Sequence, residues 1–257
     1  MIGLALLALL SGLAIVGVLT PRDPFAIAGG ALTPPSAIHF CGTDDLGRDV
    51  FTGVLGGAAV SLIVGFASAA MAVVIGTIVG GIAGAAPGVA DAALMRLTEF
   101  AQALPRFFLI ITLVSFFGGR LSFIVATLGL TAWPSTARMF RAQVLSLKTR
   151  DFAVASRASG ASTFETLWRH IVPLTLPTLA AQVSYQAGGA ILAEAGLSFL
   201  GLGDPTVMSW GAQLGAAQHF VREAWWMAVF PGIAVMLTVQ ACNLVADGFG
   251  RRTHGLT

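Results

Sequence analysis

The chain has 257 residues, of which 56% are hydrophobic and only 10% are charged, with a formal net charge of +2. A water-soluble domain carries about 25% charged residues, so this chain has too few to coat a soluble surface. The composition excludes a soluble enzyme, a disordered chain, a disulfide-framed secreted domain and a nucleic-acid-binding protein, and it indicates an all-α protein that crosses the membrane several times.

Stretches without charged residues predict six transmembrane helices, because a charge at the bilayer centre costs at least ~2.5–3.5 kcal/mol. These helices lie near residues 1–20, 57–84, 100–118, 121–139, 174–195 and 225–246. The first is longer than the ~7–15-residue core of a cleaved signal peptide, so we expect it to be retained. The third is interrupted by Pro105 and Arg106, and we expect its first turns to begin near Asp91 to Glu99.

The distribution of basic residues predicts the orientation in the membrane. Two further uncharged stretches, 24–43 and 205–221, contain prolines or polar side chains, and we interpret them as external segments. With the N-terminus in the cytoplasm, the inside segments hold Arg96, Arg106, Arg138, Arg141, Lys148, Arg150, Arg157, Arg169, Arg251 and Arg252, and the outside ones hold Arg22, Arg48, Arg120 and Arg222. Because short cytoplasmic loops are enriched in Lys and Arg, this bias predicts that both termini are cytoplasmic.

The spans divide the chain into three regions. Residues 1–56 hold the first transmembrane helix and an external segment, residues 57–246 form a core of five helices, and residues 247–257 form a cytoplasmic tail. Within the core, Gly76, Gly80, Gly84 and Gly88 recur at every fourth position. Small residues at this spacing let two helix backbones approach closely in lipid, so we expect a helix-packing seam there.

A charge-bearing cytoplasmic loop, at about 140–173, carries the clearest local signals. Asp151 is a candidate N-cap of a first short helix, and Gly160 suits the left-handed position that ends it. Ser162 and Glu165 have the spacing of a capping box at the start of a second helix. Pro173 closes that helix.

The second short helix has one predicted apolar face, made by Phe164, Leu167, Trp168 and Ile171. One interpretation is a helix that lies in the membrane interface, anchored by Trp168 and Arg169. The other is a peg that docks into a groove on a cytoplasmic partner. The pattern alone leaves both open.

Several ordered motifs carry a resemblance to a known family. The string DFAVASRASGASTFETLWRHIVPLTLP, Asp151 to Pro177, resembles the cytoplasmic EAA loop of ABC-importer permeases. Three more stretches are similar to the C-type permease subunit of the dipeptide/oligopeptide/nickel family: GTDDLGRDVFTGVLGGAAVSL from Gly42, EAGLSFLGLG from Glu194 with Ser209-Trp210-Gly211, and NLVADGFGR from Asn243. The segment from Asp91 to Pro105 also follows that pattern, so the resemblance covers roughly residues 39–252.

The resemblance implies a type I ABC importer permease fold in the cell membrane and a translocation path for peptides or a related small solute. It implies three kinds of protein partner besides the lipid bilayer, and no nucleic acid. They are a second, homologous permease subunit, two ATP-binding cassette subunits that bind ATP and Mg, and an extracytoplasmic solute-binding protein. The residues it assigns to coupling with the ATPase are Ala155, Ser156, Gly160, Ala161, Ser162, Glu165, Leu167, Trp168, Ile171 and Pro173. Val154 replaces the glutamate that names the loop, so any contact of that carboxylate is missing here.

The sequence contains no motif for catalysis. The sole lysine, Lys148, has no glycine context, so no phosphate-binding loop is present and we expect no ATPase activity in this chain. The four histidines lack metal-ligand spacing, and Gly196-Leu197-Ser198-Phe199 lacks the second glycine of a nucleophile elbow. The alternative class is a self-sufficient secondary transporter or channel, which would need acidic residues within its spans.

Glu194 is the one acidic residue within or at the end of a predicted span. With Ser198 and Phe199 it is a candidate outer gate or substrate contact, or else it caps the glycine-rich turn that follows. On the same outer side, Asp44, Asp45, Arg48 and Asp49 are candidates for docking the binding protein or for a set of ion pairs that stabilises the loop. We expect no structural or redox link between Cys41 and Cys242.

Overall fold

The computed structural model describes residues 2–19 and 23–254, with the backbone alone for 251–254. Met1, Thr20, Arg22 and the side chains of Arg251 and Arg252, all used in the predictions above, therefore lie outside the description. Described helices are α1 Ile2–Leu19, α2 Val50–Ala85, α3 Val89–Ala103, α4 Arg106–Phe117, α5 Leu121–Leu147, α6 Asp151–Ala158, α7 Thr163–Thr166, α8 Val172–Phe199, α9 Trp210–Ala217 and α10 Trp226–His254. A π-helical turn, Leu167–Ile171, joins α7 to α8. Within this part of the chain there is no β-strand, only two isolated bridges between Ile27 and Arg48 and between Thr43 and Asp49.

Helices α1, α2 and α10 are long and apolar enough to cross a membrane. Helices α3 and α4 are bent by 76° at Leu104 and Pro105 and would form a fourth crossing if they make one broken span. The sequence predicts a single helix over 100–118, but Pro105 interrupts the hydrogen-bond ladder there. Helices α5 and α8, with 27 and 28 residues, are long enough to cross, but neither contains a stretch as apolar as those in α1, α2 and α10.

Helix boundaries extend beyond the predicted spans. Helix α2 begins at Val50 rather than near residue 57, because the Asp49 side chain accepts hydrogen bonds from Thr52 N at 2.9 Å and Thr52 Oγ1 at 2.8 Å. Helices α5 and α10 continue past residues 139 and 246. Absence of charge predicts only the part of a helix that lies in hydrocarbon, and a helix can continue into water.

Helix α2 is the central element and packs along α5 through its glycines. A Cβ atom on Gly76, Gly80 or Gly84 would collide with atoms of α5, including the Ala137 backbone opposite Gly80. The predicted seam is confirmed at these three positions. At Gly88 it is wrong, because Gly88 has a φ of +106° at the turn before α3 and no heavy atom within 4 Å of a Cβ there.

Residues 23–49 and α9 pack over one end of the helices. Trp226 Nε1 donates to Thr43 O at 3.0 Å, and Trp210 Nε1 donates to Val54 O at 2.9 Å. Cys41 is buried in this packing, and burial, with a smaller contribution from Asp49, raises the pKa of its thiol to about 11. The Cys41 thiol is therefore protonated and unreactive at neutral pH.

Candidate functional site

The cytoplasmic segment is organised by the turn at Gly160. After α6 ends, Gly160 has a φ of +92°, its N–H donates to Arg157 O at 3.0 Å, and Ala161 N donates to Ser156 O at 3.2 Å. This pair of bonds is the Schellman arrangement that ends a helix at a glycine, so the predicted left-handed cap is confirmed.

The caps of the two short helices agree with the sequence in part. Ser162 precedes α7 and its Oγ accepts from Glu165 N at 3.1 Å, as the capping-box spacing predicts. The Glu165 carboxylate, however, accepts from Arg169 Nη1 at 2.6 Å. Asp151 is wrong as an N-cap: Arg150 takes that position and Asp151 is the first helical residue, where its charge still favours the helix N-terminus.

The four residues of the predicted apolar face do not share one environment: two are in the core and two are on the surface. Leu167 and Ile171 are buried, with exposed fractions of 1% and 2%, and pack with Phe140. Phe164 and Trp168 instead lie on the surface, 61% and 39% exposed, with their ring centroids 5.9 Å apart. The π turn changes the helical period between these residues, so the i, i+3, i+4, i+7 pattern does not correspond to one face.

Ionic and hydrogen-bonding contacts tie this segment to the long helices. Arg141 of α5 donates to both carboxylate oxygens of Asp91 at 2.6 Å, which joins α5 to the start of α3. Lys148 Nζ donates to Gly84 O at the end of α2 at 2.9 Å, and Arg157 of α6 donates to Lys148 O at 2.8 Å. Displacement of α6 would therefore act on the ends of α2 and α5.

The outer polar cluster is centred on Glu194, which is only 2% exposed. Ser198 Oγ donates to Glu194 Oε1 at 2.7 Å and Ser61 Oγ to Glu194 Oε2 at 3.4 Å, and Ser209 also hydrogen-bonds this carboxylate. The structure thus places Glu194 between α2, α8 and the start of α9, facing hydroxyl groups rather than an open mouth. Phe199, 41% exposed, is the member of the predicted gate set that reaches the surface.

Asp44 and Asp49 in the outer loop have structural contacts. Asp44 Oδ1 accepts from Leu46 N at 2.9 Å and Arg48 N at 2.7 Å, and its other oxygen pairs with Arg48 Nε at 3.6 Å. Asp49 caps α2 and contacts His39 Nδ1 at 3.2 Å. The Asp45 side chain makes no hydrogen bond or ion pair with the described residues. All four predicted dock residues line an outer cavity of about 200 Å³.

A nearby loop contact joins α5 to the segment after α8. Leu121 N, at the start of α5, donates to Asp204 Oδ2 at 2.9 Å, and Thr206 Oγ1 donates to Asp204 Oδ1 at 2.6 Å. These bonds, with that of Thr206 foremost, hold the pKa of Asp204 below its usual value. Its carboxylate is therefore charged at neutral pH, and it caps the N-terminus of α5 from a distant loop instead of from the residue before the helix.

Polar residues that the sequence analysis missed lie halfway along α5 and α8. Thr136 Oγ1 accepts from Gln186 Nε2 at 2.6 Å and from Gln182 Nε2 at 3.4 Å. Tyr185, between them, is 63% exposed. In the described part of the chain, no three His, Cys, Asp or Glu residues are placed to hold a metal ion.

Comparison with known proteins identifies the family. The family model for the inner membrane component of binding-protein-dependent transport systems matches residues 76–254. The dipeptide transport system permease protein DppC of Bacillus subtilis is 37% identical over 96% of this chain and 79% of its own length. A putative peptide permease of Brucella suis is 39% identical over 83% of this chain and 72% of its own length. A di/tripeptide permease of Pseudomonas aeruginosa is 35% identical over 84% of this chain and 74% of its own length.

The fold is also known from a solved structure. A chain of the MetNI methionine ABC transporter, in an inward-facing conformation, superposes with a TM-score of 0.60 at 21% identity, over 79% of this chain and 96% of that one. The mostly helical fold is therefore that of a type I ABC importer permease. The chain belongs to the family of binding-protein-dependent transport system inner membrane components, and it is a membrane-embedded permease subunit of an ABC importer rather than an enzyme.

Proposed function

We propose that this subunit imports short peptides in a complex with a second permease subunit, two ATPase subunits that bind ATP and Mg, and an external solute-binding protein. Peptides are the substrates in the names of the three relatives above, each 35–39% identical to this chain. In this proposal, ATP binding by the partners closes them and moves the spans from an inward-open to an outward-open state.

The proposed topology has six crossings, formed by α1, α2, the bent pair α3 and α4, α5, α8 and α10, with both termini in the cytoplasm. The ionic contacts near α6 support one common cytoplasmic end, because they join the end of α2, the start of α3 and the end of α5. The contact of Leu121 with Asp204 supports a common outer end for α5 and α8. The proposed regions stay 1–56, 57–246 and 247–257.

The coupling role of the cytoplasmic segment rests on one observation, the exposed aromatic pair Phe164 and Trp168. Large aromatic side chains are the usual anchors of protein interfaces because they bury much area with few rotatable bonds. Leu167, Ile171 and the Gly160 turn would position this pair rather than touch the ATPase. Val154 is 49% exposed on α6 and would add apolar contact at the position of the glutamate that names the EAA loop.

A double substitution of the pair tests this role. We expect Phe164→Ala with Trp168→Ala to abolish peptide uptake and the stimulation of ATPase activity by the binding protein in the reconstituted complex, while the permease pair still assembles. Phe116→Ala is the matched control, because Phe116 is 81% exposed at the other end of the molecule. Normal coupling in the double variant would refute the assignment.

The outer residues have two proposed roles. Asp45, which has no partner among the described residues, would contact the binding protein, whereas Asp44, Arg48 and Asp49 would shape the loop that presents it. Glu194, with Ser198, would hold the outer ends of the helices together. Asp45→Lys should then weaken stimulation by the binding protein without changing the thermal stability of the complex.

A further inference from the structure

The bend between α3 and α4 places an arginine in an unusual position. Arg106 is the first residue of α4, and its side chain is exposed. Its Nε donates to Thr131 Oγ1 at 3.3 Å and its Nη2 to Leu128 O at 3.2 Å, both on α5. Among the described residues, no carboxylate forms an ion pair with it. The guanidinium is oriented by α5 but not neutralised.

Two helix lengths, both measured from the outer turn that joins α4 to α5, place this arginine near the middle of the bilayer on the proposed topology. Helix α4 has 12 residues between Arg106 and its outer end, which at ~1.5 Å per residue is about 18 Å. Thr131, its partner on α5, is ten positions below Leu121, or about 15 Å. The hydrocarbon core is about 30 Å thick, so both estimates give mid-depth. On this topology Arg106 would lie at mid-depth rather than in the cytoplasm, where the count of basic residues assigns it.

Polar side chains also lie at about this depth on α5 and on α8, where Gln186 reaches Thr136 of α5. Ser135 lies one turn from Thr131 on α5 and is exposed, and Tyr185 is exposed halfway along α8. The surface of α8 carries four residues without a charge, spaced by four, three and four positions: Thr178, Gln182, Tyr185 and Gly189. Polar side chains at this depth do not face lipid, because unpaired polar groups are costly in hydrocarbon. Arg106 and these polar side chains are therefore covered by protein or lie along a water-filled path.

The chemistry of the break favours an anion. Three donors of the guanidinium stay free of described partners, and the first N–H groups of α4 lack intrahelical acceptors. The helix dipole adds partial positive charge at the same place. Broken helices at mid-membrane present this kind of site to the anionic groups of solutes.

We propose that Arg106 binds the terminal carboxylate of the transported peptide midway across the membrane. This inference rests on the proposed peptide function, because every unmodified peptide carries a carboxylate at its C-terminus. Thr131 is a positioning residue that fixes the guanidinium.

The test uses the complete importer in proteoliposomes with radiolabelled alanyl-alanine and its C-terminal amide. The quantity measured is the ratio of uptake of the free acid to uptake of the amide. The same binding protein delivers both peptides in every variant, so its preference for one of them does not affect the comparison of this ratio between variants. We expect Arg106→Gln to lower this ratio by ~10-fold or more, since hydrogen bonds to charged groups are the strong ones. Arg106→Lys should lose less, and the exposed Arg120→Gln should leave the ratio unchanged. If the wild-type importer takes up the free acid but not the amide, the uptake rate of the acid is compared between variants instead of the ratio.

Three results would overturn the proposal in distinguishable ways. If Arg106→Gln has the same ratio of acid to amide uptake as the wild type, the carboxylate site is refuted and the peptide function is not affected. Loss of the second permease subunit on purification of Arg106→Gln shows instead that Arg106 pairs with a carboxylate of that subunit. A wild-type complex that takes up neither peptide, although the binding protein stimulates its ATPase, refutes the peptide function and this site together.

Discussion

Removal of the Glu194 carboxyl should destabilise the subunit more than removal of any one of its hydroxyl partners. Glu194→Ala leaves a cavity, which costs ~2–5 kcal/mol for aliphatic side chains of similar size. It also leaves buried hydroxyls of Ser61, Ser198 and Ser209 without their acceptor, at ~1–3 kcal/mol each where no other partner exists. The variant no longer has to bury a carboxylate away from water, and this offsets part of the cost.

The cost of the orphaned hydroxyls and the relief of the buried charge are of similar size and opposite sign, so the net loss should be close to the cavity cost of ~2–5 kcal/mol. At ~2–4 °C per kcal/mol the melting temperature should fall by roughly 4–20 °C. The assay is thermal unfolding of the purified complex in detergent. Glu194→Gln keeps the volume and one acceptor oxygen, so it should lose less than half as much, and Ser198→Ala, which deletes one donor, should lose about 1 kcal/mol. An unchanged melting temperature in Glu194→Ala would refute the reasoning, and an equal loss in the glutamine variant would show that the charge itself is needed.

Three further predictions concern glycines and one carboxylate. Gly80→Ala should lower the stability of the purified complex by ~1–3 kcal/mol, because its Cβ meets the Ala137 backbone, whereas Gly12→Ala, with open space, should not. Gly160→Val should uncouple ATPase activity from uptake more than Gly160→Asn, because asparagine tolerates a positive φ better. The lowered pKa of Asp204 stabilises the fold above its unfolded pKa of about 4, and this contribution is lost as pH falls through the folded pKa. Thermal melts between pH 6 and pH 3 should then show a smaller decrease for Asp204→Asn than for the wild type.

Local features of the cytoplasmic segment could be predicted from sequence because their causes are local. A glycine ends α6 in a left-handed conformation, and a serine caps α7, each by hydrogen bonds within three to five residues. The existence of most long helices was also predictable, because the uncharged apolar stretches are long enough to form them. Their ends were not, because caps such as Asp49 and Asp204 act outside the hydrocarbon or from a distant loop.

The candidate site was less predictable because its geometry depends on distant contacts and on one irregular turn. Glu194 meets Ser61, 133 positions away in sequence, and nothing near Ser61 indicates that pairing. The apolar spacing of Phe164 to Ile171 assumes a regular α-helix, and the π turn separates Leu167 from Trp168. For Arg106 a signal existed: a proline and an arginine inside an apolar stretch mark a broken span.

In the proposed coupling role, the division of the cytoplasmic segment would let it both bind a partner and move the spans. Phe164 and Trp168 are exposed, whereas Leu167 and Ile171, next to them in sequence, are fixed in the core against Phe140 of α5. The π turn continues directly into α8, so force applied to the aromatic pair reaches α5 and α8 without passing through a flexible loop. These are the two helices that carry the mid-depth polar residues, and a shift between them would change access to Arg106 while its hydrogen bonds to α5 keep the guanidinium in place.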